Sequence, residues 1–190
     1  MIDIEETAIP DVKIIRPKRF GDDRGFFSEV WNAKRMKEAG LDVSFVQDNH
    51  AFSAEKGTIR GLHYQTAPNA QGKLVRVTRG VALDVAVDIR KGSPTFAKHV
   101  AVELSAENWA QLWVPPGFAH GYCTLSDNVE FLYKVTGDYS PEDEAGILYN
   151  DPEIAVDWRL GAVAPILSEK DKILPRLADQ DKLFDYGDFR

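Results

Sequence analysis

Alternation of apolar and polar positions with a period of two is the leading signal along this chain. In Val81–Ile89, residues Val81, Leu83, Val85, Val87 and Ile89 point one way and Ala82, Asp84, Ala86 and Asp88 the other, the pattern of a strand with two distinct faces. Leu74–Arg79 reads as its partner strand, with Gly80 at the turn between them. His99–Leu104, Ala110–Val114 and Val129–Val135 are further strands, spaced by the turn signals Gly92-Ser93-Pro94, Pro115-Pro116-Gly117 and Ser126-Asp127-Asn128. Val43–Gln47 and Thr58–Gln65 are expected in the same sheets. Helical signals are few. Asn32–Ala39 precedes Gly40, a residue suited to the left-handed position that closes a helix, and the segment after Ser168 is a second short helix. Many short strands at near-regular spacing predict a mainly β fold, a jelly-roll barrel of antiparallel strands with a few short helices. The mouth of such a barrel is wide enough for inward-facing polar residues to surround a ligand. The 190 residues suffice for one domain, 1–190, without internal repeat or linker, and the tail from about Leu174 reads as a short packing extension.

Composition narrows the setting. Hydrophobic residues make up 44% and charged residues 28%, ordinary for a soluble globular protein. The single cysteine, Cys123, excludes an intrachain disulfide and agrees with a reducing compartment. The N-terminal residues lack a basic start followed by an apolar run, and no segment approaches the roughly 18 apolar residues of a membrane span. A cytoplasmic protein with no membrane partner is expected. The net charge of −7 argues against a nucleic-acid partner but allows a small anionic ligand. Lys73, Arg76 and Arg79 either form a phosphate-holding cluster or a solvated strand face.

The candidate chemistry centres on histidine. His50, His63, His99 and His120 show neither H-x-H nor helical spacing, so no metal is expected. One serine-hydrolase signature, the dinucleotide fingerprint and the P-loop are all absent, so no bound redox or phosphotransfer cofactor is expected. His63 lies in Arg60-Gly61-Leu62-His63-Tyr64-Gln65, where strict alternation puts Arg60, Leu62 and Tyr64 opposite Gly61, His63 and Gln65. Read alone, such a histidine is more often a packed one bonded to a carbonyl. His120 stands where a loop enters a strand, next to Gly121. Tyr133 shares a face with Phe131 and Val135, as a core aromatic would, its hydroxyl at the sheet rim. Asp171 ends a Ser-x-x-Asp capping-box variant, so its carboxylate either caps its own helix or does chemistry.

Eight segments in order carry a resemblance from about Ile9 to Asp171: FGDDRGFFSEVW, FVQDNH, IRGLHYQ, AQGKLVRV, DVAVDIRKGSPTF, LSAENWAQLWVPPGFAHGY, EFLYKVTGDYSP and LSEKD. The chain resembles the dTDP-4-dehydrorhamnose 3,5-epimerases, the RmlC type of cupin. That resemblance implies a cupin jelly roll, a homodimer, no metal and no cofactor. Pro116-Gly117-x-x-His120 is similar to half of a metal-cupin signature, but Leu62-His63-Tyr64 does not supply the other half. The implied substrate is dTDP-4-dehydro-6-deoxy-D-glucose, whose C4 ketone acidifies C3 and C5. By the same resemblance His63 is the base, Asp171 orients it, Lys73 stabilises the enolate oxygen with His120 assisting, and Tyr133 is the acid on the opposite face. Arg24, Arg60 and Lys170 match diphosphate or sugar contacts, and Gln47, Asp48 and Asn49 the nucleotide-contact segment. Tyr139 matches the aromatic that stacks on thymine, and Glu144 a further binding position. Glu29 matches a site position supplied by the chain itself or by a partner subunit. Tyr122 departs from the pattern, standing where an aromatic, often Phe, is usual; Trp109 and Gly137 are local variants. Three alternatives stand beside this reading: a mono-epimerase inverting only C5 or only C3 in another deoxysugar pathway, a non-catalytic sugar-nucleotide-binding cupin, and a metal-dependent cupin. The second would be expected to lose His63 or Tyr133, and both are kept.

Overall fold

A computed structural model describes residues 2–189. In chain order its strands are β1 (Ile2–Glu6), β2 (Lys13–Pro17), β3 (Arg19–Asp22), β4 (Gly25–Ser28), β5 (Gln47–Ser53), β6 (Ile59–Gln65), β7 (Lys73–Arg79), β8 (Val81–Asp88), β9 (Arg90–Lys91), β10 (His99–Ser105), β11 (Gln111–Val114), β12 (Phe118–Thr124), β13 (Val129–Val135), β14 (Glu144–Gly146) and β15 (Phe184–Asp185). Two short helices, α1 (Ala33–Glu38) and α2 (Glu169–Lys172), join them. A six-stranded antiparallel sheet, β1-β2-β11-β7-β13-β5, faces a five-stranded one, β10-β8-β12-β6-β14. This is the predicted cupin-type jelly roll. The hairpin β3–β4 stands apart from both sheets.

The two sheets meet over a shared interior. Val75, Val77, Leu112, Val114, Val129 and Phe131 of one pack with Ala82, Ala86, Val100, Leu104, Phe118 and Tyr122 of the other. Strand β8 turns its small and acidic face, Ala82, Asp84 and Ala86, into the barrel. Its bulky face points outward: Leu83, Val85, Val87 and Ile89 are covered by Ile147, Ile154, Trp158, Leu177 and Phe184. Burying each such side chain contributes roughly 1.5–3 kcal/mol, so the C-terminal segment is held on the sheet as a second layer. The inner face is left with room and with a carboxylate.

Several expectations need correcting. Strands β7 and β8 do not pair: β7 lies between β11 and β13, and β8 between β10 and β12. One residue is too short for a hairpin loop. Gly80 instead takes the chain round a corner between sheets at φ +76°. Residues 43–46 form no strand, which starts only at Gln47. Val43 and Phe45 spend their apolar surface against a side cluster with Trp31 and Trp113. Lys73 and Arg76 do not cluster, because the pleat sends Lys73 into the barrel while Arg76 lies over Trp109. Helix α1 follows its sequence signals: Asn32 accepts from the Arg35 amide at 3.1 Å, and Gly40 closes the helix at φ +94°.

The pairing of β6 with β12 departs from strict alternation in a way that builds the site. His120 opposes His63 and Tyr122 opposes Arg60. Gly121 alone therefore faces Gly61 and Leu62, a bulge with the extra residue on β6. The bulge resets the phase of the strand and brings Arg60 and His63 to the same wall, where alternation had separated them. The backbones approach so closely that a Cβ at Gly61 would sit 2.6 Å from Gly121 Cα, and Gly61 is at φ +120°. A Gly61→Ala substitution is expected to cost about 2–4 kcal/mol. Calorimetry should then show a melting point lower by roughly 5–15 °C; an unchanged midpoint would contradict the close approach.

Candidate active site

A cavity of about 470 Å³ opens at the barrel mouth, between the two sheets. Its five-stranded wall carries Arg60 and His63 of β6 and His120 and Tyr122 of β12, with Lys170 and Asp171 of α2 beside them. Its six-stranded wall carries Lys73 of β7 and Phe131 and Tyr133 of β13. A trough of about 370 Å³ shares His63, Lys73 and Tyr133 and runs on past Gln47, Asn49, Gln65, Gln71, Tyr139 and Glu144. The whole is a chamber with a groove leading out of it.

Asp171 does both things its sequence context allowed, with different atoms. Its backbone N–H donates to Ser168 Oγ at 3.1 Å, capping α2. Its carboxylate Oδ1 lies 2.6 Å from His63 Nε2. Burial alone would raise the Asp171 pKa, but the His63 hydrogen bond, the attraction of His63 and the Ser168 hydroxyl outweigh it and hold the carboxyl below its usual value. With Nε2 engaged, Nδ1 is the His63 nitrogen left for a ligand. Lys73 approaches from the other sheet, its Nζ 3.5 Å from the His63 carbonyl oxygen. Burial pushes the amine down to about 8, against the pull of Asp84 and Glu144. Across the chamber, burial raises the Tyr133 phenol and Tyr122 adds to this, with Arg60 opposing. Tyr133 is therefore a protonated donor at neutral pH.

A second histidine–carboxylate pair lies deeper. His120 Nε2 is 3.0 Å from both oxygens of Asp84, and both residues are buried. Asp84 was not singled out as a site residue, although the signal was present: a carboxylate on the small-residue face of a barrel strand needs a buried partner. Phe131, Gln65 and Gln71 also line the two spaces and read in sequence as ordinary strand or loop residues, and Tyr122 lines the chamber as well.

The remaining expected residues divide. Arg60 lines the chamber and donates to the Phe52 carbonyl at 3.2 Å. At the groove, Lys170 pairs with Glu144 at 2.5 Å and the Tyr139 hydroxyl donates to Glu144 at 3.1 Å. Gln47 donates to Asn49 at 2.7 Å. Three residues line neither space within one chain. Asp48 points to the outer face and pairs with Lys134 at 2.7 Å. Arg24, at the β3–β4 turn, pairs with Asp22, and Glu29 pairs with Arg35 at 2.8 Å. Among the described residues no group of three or more His, Cys, Asp or Glu is arranged to hold a metal ion, and no helix is long and apolar enough to cross a membrane.

A histidine backed by a carboxylate on one wall, with a phenol and a half-buried amine on the facing wall, is an arrangement able to carry acid–base chemistry in a cupin barrel. A family model described as dTDP-4-dehydrorhamnose 3,5-epimerase matches residues 6–179. The dTDP-4-dehydrorhamnose 3,5-epimerase of Pseudomonas aeruginosa is 57% identical over 175 residues, 92% of this chain and 95% of that one. The Shigella flexneri protein of the same name is 55% identical over 181 residues, 95% of this chain and 98% of that one. The crystal structure of RmlC from Legionella pneumophila, a dTDP-6-deoxy-D-glucose-3,5-epimerase in complex with dTDP-4-keto-L-rhamnose, matches with a TM-score of 0.93 at 50% identity, covering 98% of this chain and 99% of that one. The chain belongs to the dTDP-4-dehydrorhamnose 3,5-epimerase family.

The depressed Asp171 pKa has a consequence for stability. Its contribution is fully present above the ordinary carboxyl value of 3.8 and is lost as pH falls through the lower folded-state value. Asp171→Asn should therefore melt lower than wild type at neutral pH and show a shallower decline below about pH 3.8. Parallel acid limbs in thermal scans of the two proteins would show that the His63–Asp171 contact contributes nothing.

Proposed function

We propose that this protein is a dTDP-4-dehydrorhamnose 3,5-epimerase acting on dTDP-4-dehydro-6-deoxy-D-glucose, giving dTDP-4-dehydro-L-rhamnose in dTDP-L-rhamnose biosynthesis. The observation that carries the reading is the opposition of His63 and Tyr133 on facing sheets across one chamber. Inverting a carbon next to a ketone requires removal of a proton from one face and its return to the other. His63, held by Asp171, takes the proton through its free nitrogen, and the C–H electron pair passes into the C4 oxygen as an enolate. The Lys73 ammonium stabilises that oxygen, with His120 beside it. Tyr133 then protonates the carbon from the opposite wall. Imidazolium and phenolate exchange protons with solvent, so the enzyme returns to its starting state. The ketone itself accommodates the electrons, and the reaction consumes no cofactor. Such proton transfer accounts for roughly 10²–10⁴-fold of the rate.

The groove suits the carrier. Tyr139 presents an exposed aromatic face for thymine, with Gln47, Asn49 and Glu144 along the groove. Arg60 and Lys170 supply positive charge for the diphosphate. We further propose a cytoplasmic homodimer. The β3–β4 hairpin exposes Phe20, Phe26 and Phe27, an unusual aromatic surface for an isolated chain, and it carries Arg24. In a dimer Arg24 and Glu29 reach the groove of the partner, and Asp48 lies on the same outer face of the sheet as His50 and Lys134.

NMR of the keto sugar incubated with enzyme in D₂O should show deuterium at both C3 and C5; deuterium at one position only would indicate a mono-epimerase. His63→Ala should abolish this uptake while dTDP still binds. Tyr133→Phe should weaken epimerisation and retain part of the exchange, and equal loss of both would argue against an opposite-face acid. Lys73 is charged below its value of about 8 and neutral above it, so kcat/KM should fall as pH rises through about 8. Lys73→Ala should lose roughly 10²–10³-fold in kcat, and Lys73→Arg should move the alkaline limb upward.

A further inference from the structure

Gln65 ends β6, on the same strand as His63, and is 4% exposed. Among the described residues its side-chain amide makes three hydrogen bonds, all to main-chain groups. Nε2 donates to the Asn69 carbonyl at 2.7 Å and to the Asp138 carbonyl at 2.9 Å, and Oε1 accepts from the Ser140 N–H at 2.9 Å. Two carbonyls and one N–H fit a single orientation of the amide, and both of its N–H groups are used. The residues held, Asp138 and Ser140, flank Tyr139. This stretch lies between β13 and β14 and belongs to no strand. Gln71 supports the same segment, its Nε2 donating to the Gly137 carbonyl at 2.7 Å.

Tyr139 itself is 59% exposed, so packing does little to fix its ring. Its direction is set at two points: by the main chain on either side, and by its hydroxyl, which donates to Glu144 at 3.1 Å. Glu144 stands opposite Gln65 in the β6–β14 register, so both points are referred to the end of β6. An aromatic platform already in place loses less freedom when a base stacks on it. We infer that Gln65 is a positioning residue for carrier binding: with Gln71 it clamps the main chain around Tyr139 and presents the ring to thymine, without touching the ligand. This rests on the dTDP reading of the groove, and it assigns a task to a buried amide that the acid–base chemistry does not use.

The test is calorimetric titration of dTDP into wild type, Gln65→Met, Tyr139→Ala and the double variant. Methionine keeps the length of the side chain and loses the hydrogen bonds of the amide. Gln65→Met should weaken dTDP binding about 5- to 30-fold, the effect of a base–aromatic stack partly lost. With the keto sugar, KM should rise by a similar factor while kcat at saturation stays within about twofold, because no hydrogen bond of Gln65 goes to the acid–base residues. The double variant should bind dTDP no more weakly than Tyr139→Ala, since the clamp then has no ring to present. Unchanged dTDP affinity in Gln65→Met would overturn the assignment. So would a full further loss in the double variant, which would mean that Gln65 touches the ligand itself, and so would a fall in kcat with KM unchanged. If Gln65→Met does not fold, Gln71→Met carries the test: weaker dTDP binding that is absent in the Tyr139→Ala background supports the clamp, and unchanged binding overturns it. A wild type that binds dTDP but does not epimerise the keto sugar would sink the proposed activity, while the dTDP affinities would still decide this assignment.

Discussion

One extra residue in β6, accommodated where Gly61 and Gly121 pass back to back, governs the geometry of the site. Without it, the alternation of a regular strand would put Arg60 and His63 on opposite faces. With it, His63 and Arg60 stand on one wall. The neighbouring strand is held in the same step, since His120 opposes His63 directly. Two histidines thus sit side by side, and each meets a different carboxylate, Asp171 from a late helix and Asp84 from the next strand. The close approach is possible only because neither backbone carries a side chain at the crossing.

One strand, β8, also departs from the usual assignment of faces. A jelly roll commonly turns its bulky apolar residues inward. Here β8 turns Ala82, Asp84 and Ala86 inward and lets the C-terminal segment cover the bulky side. The vacated interior is where Lys73 extends, and Asp84 and Glu144 keep its buried amine from being driven to neutrality. A carboxylate inside a barrel is costly unless paired. His120 and Lys73 together make Asp84 tolerable, and Asp84 in turn fixes the imidazole of His120. The charges of the site are mutually dependent, so each is best understood as part of one buried arrangement.

Period-two alternation made the strands readable, and Val129–Val135 appears with the bounds its pattern suggests. The contexts of His63, Lys73 and Tyr133 were readable too, through the resemblance that ties their segments together. What alternation could not convey was phase and pairing. The β6 bulge is invisible because glycine pairs look like turn or packing signals. The Gly80 corner reads as a hairpin because sequence shows a break in the pattern and not the direction the chain takes afterwards. Val43 and Phe45 imitate a strand because a side cluster and a sheet face demand the same apolar residues. Asp171 was ambiguous for a sound reason: a capping position uses the backbone amide, which leaves the carboxylate free for another task.

The outward cover of β8 ties the C-terminal segment to the site as well as to the sheet. The two sheets are complete once β14 has been made, near Gly146. His63 still lacks Asp171, and the bulky face of β8 still lacks Leu177 and Phe184. A ribosome-bound chain could thus have its barrel strands in hand while an apolar face stays open to water. The segment that carries Asp171, Leu177 and Phe184 both closes that face and supplies the carboxylate. Covering the outer face of β8 and holding His63 are therefore two uses of one stretch of chain.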